Sequence, residues 1–249
     1  MKHHFIAGIV VFATTIGAAN AQDFDYGVAN AQATQNAYMT SHINGLVIKG
    51  MVERGSKSGT SKRPVVSKGA TATRSVATIY TPSPSVTKSV SDSLVARLEK
   101  TSPEQAQSLQ RALAKYNFVT IWSALVAPYG LKTNDAADAL TSILVWSWTM
   151  ANGAPNPTTT QTLGVRRDVA QILSHNAAFS RMNAAQKQTF AESIMLNYVC
   201  MNGAAQTATK SGDATKIKAI GDDAQKNIQN GFGLNLRRLA LTNNGFVQQ

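Results

Sequence analysis

Cysteine is almost missing from this chain of 249 residues: Cys200 is the only one. No internal disulfide can form, so the fold must hold by packing alone. Cys200 sits in the apolar run Leu196-Asn197-Tyr198-Val199-Cys200-Met201. There it reads as a buried thiol acting as a small hydrophobe rather than as a reactive nucleophile. Histidine is scarce too, with His42 and His175 the only two beyond the first four residues. There is no Gly-x-Ser-x-Gly, no His-Glu-x-x-His and no glycine-rich phosphate loop. Local motifs for a serine hydrolase, a zinc protease or a nucleotide-binding enzyme are therefore lacking. No apolar run reaches the length of a membrane span.

What is present begins with Met1-Lys2-His3-His4, a short basic start. Phe5 to Ile16 is a run of apolar and small residues, and Ala19-Asn20-Ala21 follows. That layout predicts a secretory signal peptide over residues 1–21, with cleavage after Ala21. The expected location is periplasmic or secreted. Chemistry is less readable than location.

The net charge is +11, and it is unevenly placed. Residues 49–88 hold Lys49, Arg54, Lys57, Lys62, Arg63, Lys68, Arg74 and Lys88 against Glu53 alone. The same segment is rich in Ser, Thr and Gly and poor in large apolar side chains. It cannot bury enough surface to offset its ordering entropy. We expect a flexible basic linker there, preceded by a polar segment over 22–48 with one thin helix at about 29–43. The basic residues suit anionic envelope lipid or polysaccharide. Nucleic acid is the poorer fit, because aromatics are not interleaved and export removes that partner. Val76 to Tyr80 is β-prone, and Pro82 and Pro84 favour extended chain.

From Ser89 the pattern is helical, predicting an all-α bundle of five or six helices in a domain over 89–249. Ser91 is expected to cap a first helix. Ser102-Pro103-Glu104-Gln105 reads as a capping box. That helix continues, past a kink, to Pro128. Thr133 or Asn134 is expected to cap a helix over about 134–151. Its two apolar stripes (Ala137, Leu140, Leu144, Trp148 and Ala136, Ala139, Ile143, Trp146, Met150) cover most of its circumference. Such a helix belongs in the middle of a bundle. Further helices are expected over about 159–176, from the Asn183/Gln186 capping box to about Ala208, and from Asp213, with Asp222 and Lys226 pairing outside. The tail from Leu234 to Phe246 is expected to form a short helix or a strap. No sustained period-two pattern argues for a sheet.

The stretch Thr133-Asn134-Asp135-Ala136-Ala137-Asp138-Ala139-Leu140, with Trp146 and Trp148, carries a likeness. So does the end, Gly233-Leu234-Asn235-Leu236, Leu239-Ala240-Leu241-Thr242 and Gly245-Phe246. From Tyr80 onward the chain resembles a bacterial family of exported helical proteins known only as a domain of unknown function. The resemblance implies a helical exported domain. It implies no activity, and it stops short of the basic segment.

Asp135, Asp138, Ser142 and Thr149 share a narrow polar stripe on the apolar helix. Asp135 and Asp138, with Arg166 and Arg167 as available cations, make the candidate functional cluster. A hydrolase or metal enzyme built on the two acids predicts a cleft with a His or further acid nearby. Acids near a helix N-terminus also complement its dipole. A buried carboxylate needs a cation or costs several kcal/mol. No supporting ligand spacing is present, so no metal or cofactor is expected. Trp122, Trp146 and Trp148 fit a core better than a pocket. The expectation is an exported, non-enzymatic binding or structural module of the bacterial envelope, with a secreted effector as a further alternative.

Overall fold

Prolines set where the first two helices begin. The computed structural model describes residues 78–249. The signal peptide, the polar segment and the basic residues Lys49, Arg54, Lys57, Lys62, Arg63, Lys68 and Arg74 lie outside the described residues. The first helix, α1 (Pro84–Thr101), starts at Pro84 rather than near Ser91. Proline suits a first helical position because its φ is already helical and its missing N–H has no partner there. Residues 84–88, assigned above to the linker, are therefore helical, and the domain begins before Ser89. Lys88 pairs with Asp92 one turn on at 2.7 Å.

Helix α2 (Pro103–Lys115) follows after the single residue Ser102. Here the capping box is corrected: the Ser102 side chain makes no capping hydrogen bond. The expected kink is a full break. Tyr116 and Asn117 separate α2 from α3 (Phe118–Val126), because the Asn117 side chain accepts from the backbone N–H groups of Val119 and Thr120. A 3-10 turn (Ala127–Tyr129) leads on to α4 (Ala136–Asn152). Its cap is Asp135, not Thr133 or Asn134.

Four more helices complete the bundle: α5 (Thr159–His175), α6 (Ala177–Ser180), α7 (Ala184–Lys210) and α8 (Ala214–Phe232). The Asn183/Gln186 capping box and the Asp213 cap are both formed. There are thus eight helices among the described residues, against the five or six expected. The break at Asn117 and the one-turn α6, capped by Asn176, account for the difference.

The all-α architecture holds with one small exception. The tail forms a hairpin, β1 (Leu239–Thr242) antiparallel to β2 (Gly245–Gln248), where a helix or strap was expected. Its two-residue turn, Asn243-Asn244, is closed by Thr242, whose hydroxyl donates to the Gly245 carbonyl at 2.9 Å. Leu239 and Leu241 face inward. The period-two pattern spans only four residues, too few to stand out. The β-prone patch also pairs: Ile79 bridges Asp135, with Tyr80 N–H donating to Asn134 and Ala136 N–H to Thr78, each at 3.0 Å. The chain is thereby stitched to the N-terminus of α4.

Every residue of α4 except Trp148 and Asn152 is buried, which puts it in the middle as its two stripes required. It packs against α5, α7 and α8. Its contact with α8 is close because Gly221 lies against the Met150 carbonyl; a Cβ at Gly221 would sit 2.5 Å from that oxygen. A Cβ at Gly164 on α5 would likewise meet the Asn243 oxygen of the hairpin turn at 2.6 Å. Helix α7 is equally central, with most of its residues buried from Gln188 to Ala208. The sequence conceals this, since polar Gln188, Glu192, Asn197, Asn202 and Gln206 interrupt the apolar pattern and are buried all the same.

Candidate functional site

The two acids of α4 are joined by one arginine. Arg166 on α5 donates from Nη2 to Asp135 Oδ2 at 2.5 Å and from Nε to Asp138 Oδ1 at 2.7 Å. The remaining oxygens are also engaged. Asp135 Oδ1 accepts from the Ala137 N–H at 2.9 Å, and Asp138 Oδ2 from the Lys132 N–H at 2.7 Å. Burial raises the Asp138 pKa above the ordinary carboxylate value. The Arg166 and Lys132 hydrogen bonds pull it back only in part, and the charge of Asp135 adds to the rise. The cluster therefore ties the start of α4 to α5 and fixes the loop before it.

Arg167 is not part of this group. It points to the hairpin and donates to the Asn244 carbonyl at 3.2 Å. The rest of the polar stripe is divided among separate partners. Ser142 accepts from Trp122 Nε1 at 3.1 Å, and Thr149 donates to the Val145 carbonyl. Trp122 and Trp146 are core; Trp148 packs at its edge and donates to the Leu239 carbonyl. Asp222 pairs with Lys218 and with Arg237, where Lys226 was expected. His175 lies exposed at the end of α5 and meets the Gln171 carbonyl at 2.7 Å. Cys200 is buried and forms no disulfide. Among the described residues, no three His, Cys, Asp or Glu side chains gather to hold a metal ion.

A cleft of about 970 Å³ opens elsewhere, between α1, the end of α2 and the start of α3. Such a volume lies at the upper end of small-ligand sites. One wall is a face of α1 with Thr87, Ser91, Val95 and Glu99. The facing wall has Leu113, Lys115, Tyr116 and Phe118. At 4.6 Å, Lys115 Nζ lies over the Tyr116 ring. Neither Asp135 nor Asp138 lines this space.

Glu192 of α7 reaches the cleft from the core side and is 2% exposed. Its Oε1 accepts from Gln188 Nε2 at 2.9 Å. The other oxygen, Oε2, is buried without a hydrogen-bond partner among the described residues. Gln188 is itself held by the start of α1, accepting from the Ser83 N–H at 2.8 Å and donating to the Ser83 carbonyl at 2.9 Å. Gln188 thus links Glu192 to the start of α1. Burial pushes its pKa up, partly offset by hydrogen bonds from Gln188 and Thr87. Tyr80, whose hydroxyl donates to the Thr133 carbonyl at 2.6 Å, is shifted upward by burial and by the charges of Glu192 and Asp135.

The family model that fits this chain covers residues 1–249 in full. The chain belongs to a family of unknown function, DUF6683. The likeness read from Tyr80 onward thus extends over the whole DUF6683 chain. No curated protein and no solved structure matches it.

In this DUF6683 member the structure brings Asp135, Asp138 and Arg166 of the expected cluster together and leaves Arg167 apart, while Glu192 was missed by sequence reasoning. A signal was there. Glu192 is the lone acid of α7, placed between Phe190 and Ile194 of its apolar stripe. A carboxylate flanked by core positions calls for a partner or a ligand.

Proposed function

We propose that this chain is an exported binding or structural module of the bacterial envelope, with the cleft over Glu192 as its binding site. One observation carries the reading: a buried carboxyl with one oxygen unpartnered forms part of the lining of an open space sized for a small molecule. Natural pockets combine apolar walls with a few fixed polar groups. This cleft has both, with Val95, Leu113 and Phe118 on its walls and Glu192 oriented by Gln188. Asp135 and Asp138 are spent on Arg166, so acid–base work by that pair has no free carboxylate to start from.

The test uses protein recovered under native conditions from an envelope fraction. Native mass spectrometry is expected to detect a non-covalent small molecule on the wild-type chain. Ala96 lines the cleft, and Ala96→Trp should obstruct it and lose that mass while keeping the fold. A wild-type chain carrying nothing that Ala96→Trp loses would reject the reading.

The basic segment supplies the second contact of the proposal. Lys49, Arg54, Lys57, Lys62, Arg63, Lys68 and Arg74 would hold an anionic surface, at about 1 kcal/mol for each residue near it. Export, inferred from the signal-like start, puts envelope lipid and acidic polysaccharide within reach. No helix among the described residues is long and apolar enough to cross a membrane. Sedimentation with anionic vesicles should show binding that weakens as salt rises. Deleting 49–75 should abolish it; equal binding after the deletion would remove the segment from the proposal.

A further inference from the structure

We infer that the cleft takes a small organic amine: an ammonium head received by Glu192 and an apolar body laid along the α1 and α2 walls. This rests on the reading of the cleft as a binding site. It follows from what Glu192 lacks. A carboxylate removed from water needs donors or a cation for its lone pairs. Gln188 donates to Oε1 of Glu192 and the Thr87 hydroxyl lies close enough to favour the charged form, but among the described residues no cation pairs with the carboxylate and no hydrogen bond is made to Oε2.

Among the described residues, the cations that line the cleft are otherwise employed. Lys88 pairs with Asp92 at 2.7 Å, and Lys115 lies over the Tyr116 ring. An incoming ammonium would supply both the missing N–H and the missing charge. An incoming anion would meet the carboxylates of Glu192 and Glu99, with Lys88 already paired to Asp92. The tail preference comes from Val95, Leu113, Phe118 and Val119, which offer methylene-sized apolar surface beside the head site.

Protonation of Glu192 opposes amine binding, because a neutral carboxyl offers no charge to the head. Affinity is therefore expected to rise with pH as Glu192 ionises. The other groups facing this space are Lys88, Asp92 and Glu99 on α1, Lys115 and Tyr116 at the end of α2, and the buried Tyr80 close to Glu192. Of these, Tyr80 stays neutral throughout, since its own pKa is displaced upward.

Three probes with one tail separate the possibilities: n-hexylamine, 1-hexanol and hexanoate, each titrated calorimetrically into the full chain. Hexylamine should bind most tightly and hexanoate least. Glu192→Gln should weaken hexylamine by about thirtyfold, as expected for truncating one side of a buried charge pair, and flatten its pH profile. Circular dichroism and melting keep a folding failure apart from a binding failure, and the comparison of heads in the wild-type chain needs no variant. Hexanol bound in the wild type, lost in Ala96→Trp, and equal to hexylamine would overturn the amine inference and leave the cleft reading standing. No binding of any of the three probes would overturn both. Unchanged hexylamine binding in Glu192→Gln would also overturn the inference.

Discussion

Replacing Arg166 by leucine should lower the unfolding free energy by about 3 kcal/mol at neutral pH. Breaking one side of a buried ion pair strands the other charge, and typical losses are about 3–5 kcal/mol. The lower end applies because the Arg166 side chain is 35% exposed and water screens part of its charge. The acids it serves have almost no such access, at 5% for Asp135 and 3% for Asp138. The loss should depend on pH with a definite sign. Asp138 already binds its proton more tightly in the folded chain than in the unfolded one, because burial raises its pKa. Such a carboxyl contributes its stability in full below the unfolded pKa and loses it as pH rises through the folded one. Without Arg166 the folded value moves higher still, and the window extends upward. The deficit of Arg166→Leu should therefore shrink as pH is lowered from neutrality into the carboxylate range. Urea unfolding of both proteins at a neutral and an acidic pH measures this. A deficit that is negligible, or that grows on acidification, would mean the cluster is not the staple between α4 and α5.

Gly221→Ala should destabilise the fold by about 2 kcal/mol, although alanine is the better helix former. Propensity alone favours alanine by about 1 kcal/mol. Against that, the added Cβ would stand 2.5 Å from the Met150 oxygen and 3.2 Å from its carbonyl carbon. Both are backbone atoms of α4, so no side-chain rotation relieves the contact, and α8 must move away. Overpacking of a tight contact costs about 1–3 kcal/mol, and the unyielding backbone neighbour puts this contact at the upper end, which leaves a net loss of about 2 kcal/mol. Gly231, on the same helix, is the control: a Cβ there meets nothing within 4 Å. Gly231→Ala should leave thermal stability unchanged or raise it. Parallel melting curves decide the matter. If both alanine variants gain stability, the close approach of α4 and α8 is wrong.

The two variants probe features of very different visibility in the sequence. Helix α4 was legible because its apolar residues recur on every side, and no surface helix can carry them. The starts of α7 and α8 were legible because Asn183, Gln186 and Asp213 satisfy N–H groups within three residues of themselves. Gly221 gave no such signal. An isolated glycine in a helical pattern reads as a weakness until the neighbouring helix is seen to need the space. The first helix was read too short for a similar reason: Pro84 seemed to end an extended segment, and the Gln188 side chain that secures Ser83 comes from α7, 105 residues away.

By itself the sequence determined an all-α bundle without disulfides, the centrality of α4, several caps, and the pairing potential of Asp135, Asp138 and Arg166. These rest on interactions within about one turn of helix, or on an oily circumference that must be covered. Only the tertiary structure decided that Arg166 serves both acids across separations of 28 and 31 residues, that the tail is a hairpin, and that Glu192 lies buried beside a cleft with an oxygen left over. The reason is physical. A side chain's solvation and its partners depend on which distant segments close over it, and local spacing carries no record of that closure.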